Sequence, residues 1–427
     1  MRNKLIILLT VILFSLTFTT NGQKLVNSPF SRFNIGSLDP SGSFKSQGMG
    51  GLSVSMRDNS SIFYSNPASY SSFDTLSFIF DFGIDYAKAK LTEGESSYSS
   101  QDMNFDHLLL GFPLAKGWGF AAGIVPLSNG YYRMSESVLK TDPGYNLLVG
   151  EYNTQHNGDG SLTNAFLGTG VKLTRNLSVG INMKILFGKL QRTNQFEFTD
   201  FNNVYNNNTT EMLQLGGINF DYGLQYTVPF KNKTFINAGV SLTSGKKYKS
   251  NYEYLQSRYT AYTSKDTISY VSENSKSAFI PGTLRLGVSF GKINKFTAGL
   301  DFISTKWSKS KIPGSSGYAA DTKSFLFGLE YIPDKYSNYS FLKRMEYRLG
   351  GHVEDNYLII NGEQIKEVGA SCGIGIPMRR TSSKTNLFFD FTRKSGSAVN
   401  NLHTENYYTF GISLNLYDNW FIKRKYD

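Results

Sequence analysis

The sequence predicts an all-β protein: a fourteen-stranded antiparallel transmembrane β-barrel with an N-terminal plug, or hatch, inside its lumen. Three observations predict this class. Apolar and polar residues alternate with period 2 along most of the chain. Aromatic residues and glycine are plentiful, at 27 Tyr, 33 Phe and 41 Gly, whereas proline is limited to 11 residues. Predicted connections between strands are alternately short and long. All three are typical of membrane barrels, whose strands alternate lipid-facing apolar with lumen-facing polar or small positions.

Residues 1–22 have the pattern of a secretory signal peptide. Arg2 and Lys4 precede an apolar run, Leu5–Phe18, and small residues follow it up to Gly22. The alternative is a membrane-anchoring helix, but the run is short for a span of about 20 residues. We therefore expect an exported protein that is cleaved after Gly22.

Residues 23–73 lack a clean period and are rich in small and hydroxyl side chains, which predicts a plug placed just before the first strand. Glycine permits close backbone packing, and an Asn-Pro pair favours a turn. The alternative is an ordinary N-terminal extension with one turn. The predicted gate residues are Gly48, Gly50, Gly51, Asn66, Pro67 and Ala68.

Residues 74–427 are predicted to form the barrel. In the first strand Leu76, Phe78 and Phe80 share one face, while Ser77 and Asp81 lie on the other. A soluble β-sandwich or propeller also alternates, but its outward face would be polar. The predicted strands begin near Thr75, Asn104, Trp118, Leu162, Leu177, Gln214, Thr234, Thr283, Lys295, Lys323, Glu346, Val368, Thr385 and Asn406.

Loop lengths predict the orientation of the barrel. The long connections are Ala87–Met103, Leu127–Ser161, Lys189–Leu213 and Ser244–Gly282, and the short ones include Pro113–Gly117 and Gly291–Asn294. Short turns are periplasmic in outer-membrane barrels, so both termini are expected in the periplasm.

The net charge of +11 comes mainly from residues on the short-turn side. Export argues against a nucleic-acid partner, so we interpret these residues as a solvated rim with some headgroup contact. They are Lys231, Lys233, Lys292, Arg344, Arg379, Arg380, Lys384, Lys423, Arg424 and Lys425.

No catalytic, metal-binding or cofactor-binding motif is predicted. Gly369–Gly373 matches G-x-S-x-G, but strand alternation runs straight through it and no helix follows. The four histidines, His107, His156, His352 and His403, do not have metal-ligand spacing. The single cysteine, Cys372, excludes an internal disulfide and is expected to face lipid or a neighbouring side chain.

The mature chain resembles the FadL-type outer-membrane transporters of long-chain fatty acids and other hydrophobic compounds. The resemblance rests on Asn66-Pro67-Ala68 before the first strand, on the strand count, on Gly123-Ile124-Val125-Pro126 in the third strand, and on Ile280–Gly287 before a late strand. It implies a hatch in the N-terminal segment and a strand interruption beside Gly123. PorV-like barrels, which serve a secretion machine, have the same general appearance.

Two sets of barrel residues are candidates for function. Gly119, Gly123 and Pro126 weaken the third strand and could open a lateral path into the bilayer, although Pro126 could equally mark the strand end. Arg285, Arg348 and Lys184 point into the predicted lumen and could pair with a ligand carboxylate. The alternative for these charges is that they form salt bridges that hold the plug.

Two functions are therefore predicted. The first is passive uptake of a hydrophobic or amphipathic small molecule, such as a fatty acid or other lipid, with lateral exit into the outer-membrane lipids. The second is a non-transporting accessory barrel of an outer-membrane secretion or assembly complex. A continuous apolar tunnel would favour the first, and a filled lumen with exposed apolar loops would favour the second.

Overall fold

The computed structural model describes residues 28–420, apart from residues 95, 202, 261, 264, 316–318, 361, 379–380 and 397–403. The predicted signal peptide therefore lies outside the described residues. Two one-turn helices are present, α1 (Phe44–Gln47) and α2 (Phe341–Arg344), and 3-10 turns span Pro29–Arg32, Pro67–Ser72, Lys231–Lys233 and Trp307–Lys309. The strands are β1 (Ser37–Leu38), β2 (Ser77–Glu93), β3 (Ser96–Ala115), β4 (Trp118–Asn129), β5 (Tyr132–Val138), β6 (Tyr152–Lys172), β7 (Leu177–Phe198), β8 (Asn206–Pro229), β9 (Thr234–Thr243), β10 (Lys246–Tyr259), β11 (Asp266–Ile280), β12 (Thr283–Lys292), β13 (Phe296–Thr305), β14 (Thr322–Tyr331), β15 (Glu346–Ile360), β16 (Glu363–Pro377), β17 (Lys384–Ser395) and β18 (Thr404–Asn419).

These strands form a closed antiparallel barrel of fourteen strands. Three of the fourteen are interrupted and consist of two segments each: β4 with β5, β9 with β10, and β11 with β12. The first and last strands close the cylinder, with Ser77 opposite Asn419 and Thr92 opposite Thr404. The prediction of a fourteen-stranded antiparallel β-barrel is confirmed.

Several strands are much longer than the alternation predicts. Most of the predicted long connections are paired strand: β3 begins at Ser96, β6 at Tyr152 and β8 at Asn206. Beyond the apolar belt both faces of a strand are solvated, so the period-2 pattern fades while the backbone ladder continues. The short turns lie where they are predicted, for example between Lys172 and Leu177.

Exposure separates the two faces of the wall. Large apolar side chains are exposed on one face, such as Leu300 at 60% and Leu349 at 62%, while polar neighbours such as Asp301 are buried at 3%. Cys372 is exposed, on the apolar face. None of the helices in the described residues is long and apolar enough to cross a membrane.

The N-terminal segment, defined as residues 28–73, is the most buried part of the chain. Phe44, Met49, Leu52, Asn66 and Tyr70 have no exposed surface. Most of the segment is irregular, and its only strand, β1, pairs with the end of β4. Its backbone polar groups must therefore find partners on the barrel, and these contacts define the site.

Candidate functional site

A row of glycines in the wall receives the Asn-Pro-Ala turn. Gly119, Gly170, Gly180 and Gly223 lie directly opposite one another on β4, β6, β7 and β8. We call these four residues the glycine row. A Cβ atom at Gly180 would lie 2.4 Å from the carbonyl carbon of Pro67, and one at Gly170 would lie 2.2 Å from its oxygen. The backbone of the 3-10 turn therefore rests on the strands at a distance that only glycine allows.

Asn66 fixes this turn to two strands. Its side-chain amide donates to the carbonyl oxygens of Val54 at 2.8 Å, Leu224 at 3.2 Å and Val240 at 3.3 Å. Its Oδ1 accepts from the Ala68 backbone N–H at 3.2 Å, capping the turn that Pro67 begins. The residue is fully buried, so these bonds satisfy both ends of an amide that has no access to water.

Gly48, Gly50 and Gly51 approach a different part of the barrel wall, formed by β14, β15 and β16. Gly50 has φ +66°, and its N–H donates to the Ser371 hydroxyl at 2.8 Å. A Cβ at Gly50 would lie 2.6 Å from the backbone of Gly351. Gly51 has φ +88°, and Gly48 approaches the Cα of Gly373. All six predicted gate residues therefore contact the barrel or shape the turns that do so.

A buried charge cluster, defined as Lys45, Asp58, Glu330, Glu346, Arg348 and Lys384, joins the segment to β14, β15 and β17. Lys45 contacts Asp58 at 2.5 Å and Glu330 at 3.3 Å. The remaining ion pairs are Lys45 with Glu346 at 3.8 Å, Arg348 with Glu330 at 2.8 Å, Arg348 with Glu346, Lys384 with Glu346 at 2.6 Å, and Lys384 with Asp58 at 4.0 Å. Three cations face three carboxylates, so the buried charge is balanced.

The charges of the cluster determine the protonation state of Asp58. Burial alone would raise the pKa of the Asp58 carboxyl, but the charges of Lys45 and Lys384 outweigh this effect and hold the pKa well below its usual value. The Asp58 carboxylate also accepts from the backbone N–H of Ser60 at 3.0 Å. Asp58 is therefore ionised at neutral pH, and its link between segment and wall depends on that charge.

The predicted ligand-binding cations have protein partners. Each nitrogen of Arg348 donates to Glu330, Glu346 or Asn386. Lys184 pairs with Asp221 at 2.8 Å. Arg285 donates through Nη1 to the Thr243 hydroxyl at 2.9 Å, while its Nε has no partner among the described residues. A role for these three residues toward a ligand stays a prediction, and the contacts of Arg348 favour the alternative of a salt bridge that holds the segment.

The residues of the predicted lateral opening lie on both sides of the point where β3 and β4 separate. Gly123 is paired on both sides, with Leu109 and Phe166, and Gly119 is paired in the same way. Pairing between β3 and β4 stops at Leu108 and Ile124, and beyond that point β3 pairs only with β2. Pro126 lies within the diverging part and retains its pairing with β6. The wall therefore divides just after Gly123.

The N-terminal segment occupies the free edge of β4 at this division. Ser37 and Leu38 pair with Asn129 and Ser128, and the Asp39 N–H donates to the Leu127 oxygen at 3.0 Å. Since β6 takes the other edge of β4, β1 takes the edge that β3 has left. The division is covered from the segment side by a short strand.

Sequence reasoning missed four of the six members of the charge cluster. Lys45 and Asp58 lie in a segment without period, and Glu346 was not singled out. Lys384, expected on the solvated rim, is instead buried at 7% because it faces Glu346. Of the other rim residues, Arg379, Arg380, Lys423, Arg424 and Lys425 lie outside the described residues. The sequence feature that points to the cluster is Lys45, a charged residue in a segment otherwise rich in small side chains.

Three solved structures that are similar to this chain are a monoaromatic hydrocarbon channel and two toluene transporters. The CymD monoaromatic hydrocarbon channel is 14% identical, with a TM-score of 0.57 over 90% of this chain and 98% of its own. The toluene transporter TodX of Pseudomonas putida is 15% identical, with a TM-score of 0.56 over 90% of this chain and 99% of its own. TbuX of Ralstonia pickettii, also a toluene transporter, is 14% identical, with a TM-score of 0.51 over 90% and 98%. At these identities the likeness shows the class of barrel, and the FadL-type resemblance is supported at the level of the fold.

No curated protein matches the sequence. One family model matches residues 1–427, that of BamG. The chain therefore belongs to the BamG family.

Proposed function

We propose that the protein is an outer-membrane barrel whose residues 23–73 form a plug and whose termini are both periplasmic. The apolar exposed face supports the membrane location, since soluble proteins rarely expose such a continuous apolar surface. Burial of the N-terminal segment and its contacts with the polar face of the strands support the plug.

Within that location, we propose that the protein is a non-transporting accessory barrel of an outer-membrane assembly complex. One observation carries this proposal: the segment is fixed to the wall on several sides, by the glycine row, by Asn66 and by the charge cluster. Moving it would leave buried ions and amides without partners, which is costly.

Such a barrel can act only through its outer wall and its two ends, and both ends carry exposed apolar side chains. Leu147 and Leu148 are 83% and 93% exposed in the loop between β5 and β6. Tyr339 and Leu342 are 102% and 63% exposed between β14 and β15, on the short-turn side. Exposed apolar loops of this kind are typical of surfaces that bind other proteins.

Depletion of the protein tests this function. We expect other outer-membrane barrels to accumulate in the unfolded form, measured as loss of their heat-modifiable gel mobility. Expression of the intact chain should restore them, and expression of an unrelated barrel should not. Normal folding of several reporter barrels in depleted cells would contradict the assembly function.

A second candidate, uptake of a hydrophobic compound such as a long-chain fatty acid, is favoured by the division of β3 from β4. An apolar solute that leaves the lumen there would enter lipid and avoid periplasmic water. This candidate requires β1 to leave the edge of β4. Uptake of labelled toluene and labelled oleate should then rise above an empty-vector control, and uptake equal to that control would exclude it.

A further inference from the structure

The outer wall contains an apolar groove of about 560 Å³ on the lipid-facing side of β9 and β12–β15. Its rim is formed by large exposed side chains: Val288, Phe290, Leu300, Phe327, Leu329 and Leu349. We call this depression the outer-wall groove. It is separate from the segment, the glycine row and the charge cluster.

Side-chain size explains the groove. Ala298 lies directly opposite Phe290 on one neighbouring strand and Leu329 on the other, so a small residue forms the floor between large ones. The wall is closed behind this floor. A Cβ at Gly299 would lie 3.0 Å from the Leu52 side chain, and one at Gly328 would lie 2.3 Å from the Met49 oxygen. The groove is therefore a recess in the surface and not a pore.

Basic residues border the groove at its short-turn end. Lys292 follows Phe290 by two residues, so it shares the outward face and lies about 7 Å further along the strand. The adjoining turn carries Lys231 and Lys233, and the Ile293 N–H donates to the Lys233 oxygen at 2.9 Å. All three lysines are exposed, and none forms an ion pair with a carboxylate of the described residues.

We propose that the outer-wall groove is a specific site for an anionic glycerophospholipid of the leaflet on the short-turn side. One acyl chain lies over Ala298, and the phosphate lies at Lys231, Lys233 and Lys292. An apolar recess next to unpaired cations matches the two parts of such a lipid, since both burial of the chain and neutralisation of the phosphate are favourable. The site rests on the proposed membrane location and is independent of the assembly function.

The natural cysteine provides a reporter beside the groove. Cys372 is the only cysteine in the chain, is exposed, and lies directly opposite Leu349. A bimane label on this thiol, in vesicles of phosphatidylcholine, would be quenched by small amounts of lipid carrying a nitroxide on its acyl chain. We expect labelled phosphatidylglycerol to be enriched over labelled phosphatidylcholine, roughly fivefold for each lysine that engages.

Three controls make the test specific. Moving the thiol to the opposite wall, with Cys372→Ser and Ile181→Cys, should abolish the enrichment. Lys231→Gln with Lys233→Gln and Lys292→Gln should abolish the preference for phosphatidylglycerol, whereas Lys116→Gln with Lys172→Gln should preserve it. Ala298→Phe should fill the groove and remove the excess quenching, whereas Ala165→Phe on β6 should not.

Equal quenching by the two lipids at Cys372 would overturn the proposal, as would an unchanged excess in the Ala298→Phe protein. Loss of the preference in the Lys116 and Lys172 variant would overturn it too, because the effect would then follow net charge alone. Absence of quenching at both label positions would contradict the membrane location itself, and the site with it.

Discussion

At the scale of single residues, strand glycines lie in close contact with the turn at Pro67. Gly180→Ala would place a methyl group 2.4 Å from the Pro67 carbonyl carbon, and backbone on both sides limits relaxation. We expect a loss of about 1–3 kcal/mol in the free energy of unfolding. Urea-induced unfolding in micelles, followed by gel mobility, measures this loss.

Gly216→Ala is the matched control, because its methyl group would have only the Leu186 oxygen nearby, at 3.9 Å. We expect its unfolding curve to overlay that of the wild type. If the Gly180→Ala protein were as stable as the Gly216→Ala protein, the turn at Pro67 would not be in close contact with the glycine row.

Asn66 is the second residue whose role can be measured alone. Asn66→Ala removes bonds to three buried carbonyl oxygens and one N–H. Because buried groups would lose their partners, we expect a loss of about 1–3 kcal/mol. Protease digestion of the folded protein should also begin to cleave within residues 48–73. Asn59→Ala, at an exposed position of the same segment, should do neither, and equal effects of the two substitutions would contradict this role.

The sequence identified Asn66 but not the contacts that make it important. Asn-Pro-Ala is a local signal for a turn, because side-chain bonding and a fixed φ operate within three residues. The charge cluster, in contrast, joins Lys45 and Asp58 to residues about 300 positions later. Nothing local distinguishes a lysine that will be buried, as the misplacement of Lys384 on the rim also shows.

At the scale of elements, the charge cluster makes attachment of the segment sensitive to acid. The Asp58 carboxyl has a folded pKa well below its unfolded value of 3.8. A depressed pKa contributes stability that is fully present above the unfolded value and is lost as the pH falls through the folded value. We therefore expect the segment to become protease-sensitive below about pH 4 while the strands remain paired.

Pepsin, which is active in acid, measures this release through cleavage in residues 44–73. Asp58→Asn removes the titrating carboxyl, so its protein should be cleaved to a similar extent at pH 5 and pH 3. A wild-type segment that gains no protease sensitivity relative to the Asp58→Asn segment between pH 5 and pH 2 would contradict the proposed role of Asp58.

Strand existence was predictable from sequence, whereas strand length was not. Alternation reports only the part of a strand with one face in an apolar environment, so β6 was detected from Leu162 although it begins at Tyr152. Pairing between β3 and β4 ends at Ile124, within the stretch from Gly123 to Pro126 where the sequence predicts a weakened strand. Glycine and proline mark weak pairing, yet Gly123 is paired on both sides because Leu109 and Phe166 keep their register there.

At the scale of the whole molecule, a strict period and an even number of strands were enough to predict the barrel. The register between strands was not predictable. The four glycines of the glycine row lie on four different strands, and their position as neighbours follows only from the offsets of β4, β6, β7 and β8. The contact between the glycine row and the turn at Pro67 depends on that register, and so does the attachment of the N-terminal segment to the wall.

The central claim is that the protein functions while the N-terminal segment stays fixed to the barrel, and a reversible crosslink tests it most directly. Ser37 on β1 lies directly opposite Asn129 on β4, and facing residues of an antiparallel pair have Cα atoms about 4.5–5.5 Å apart, so cysteines at these positions are close enough for a disulfide. In a Cys372→Ser background, Ser37→Cys with Asn129→Cys would be oxidised in cells that lack the wild-type protein, and folding of reporter barrels would be measured with and without reductant. The account predicts equal folding in both states. Loss of folding on oxidation, recovered on reduction and absent from each single-cysteine control, would contradict it.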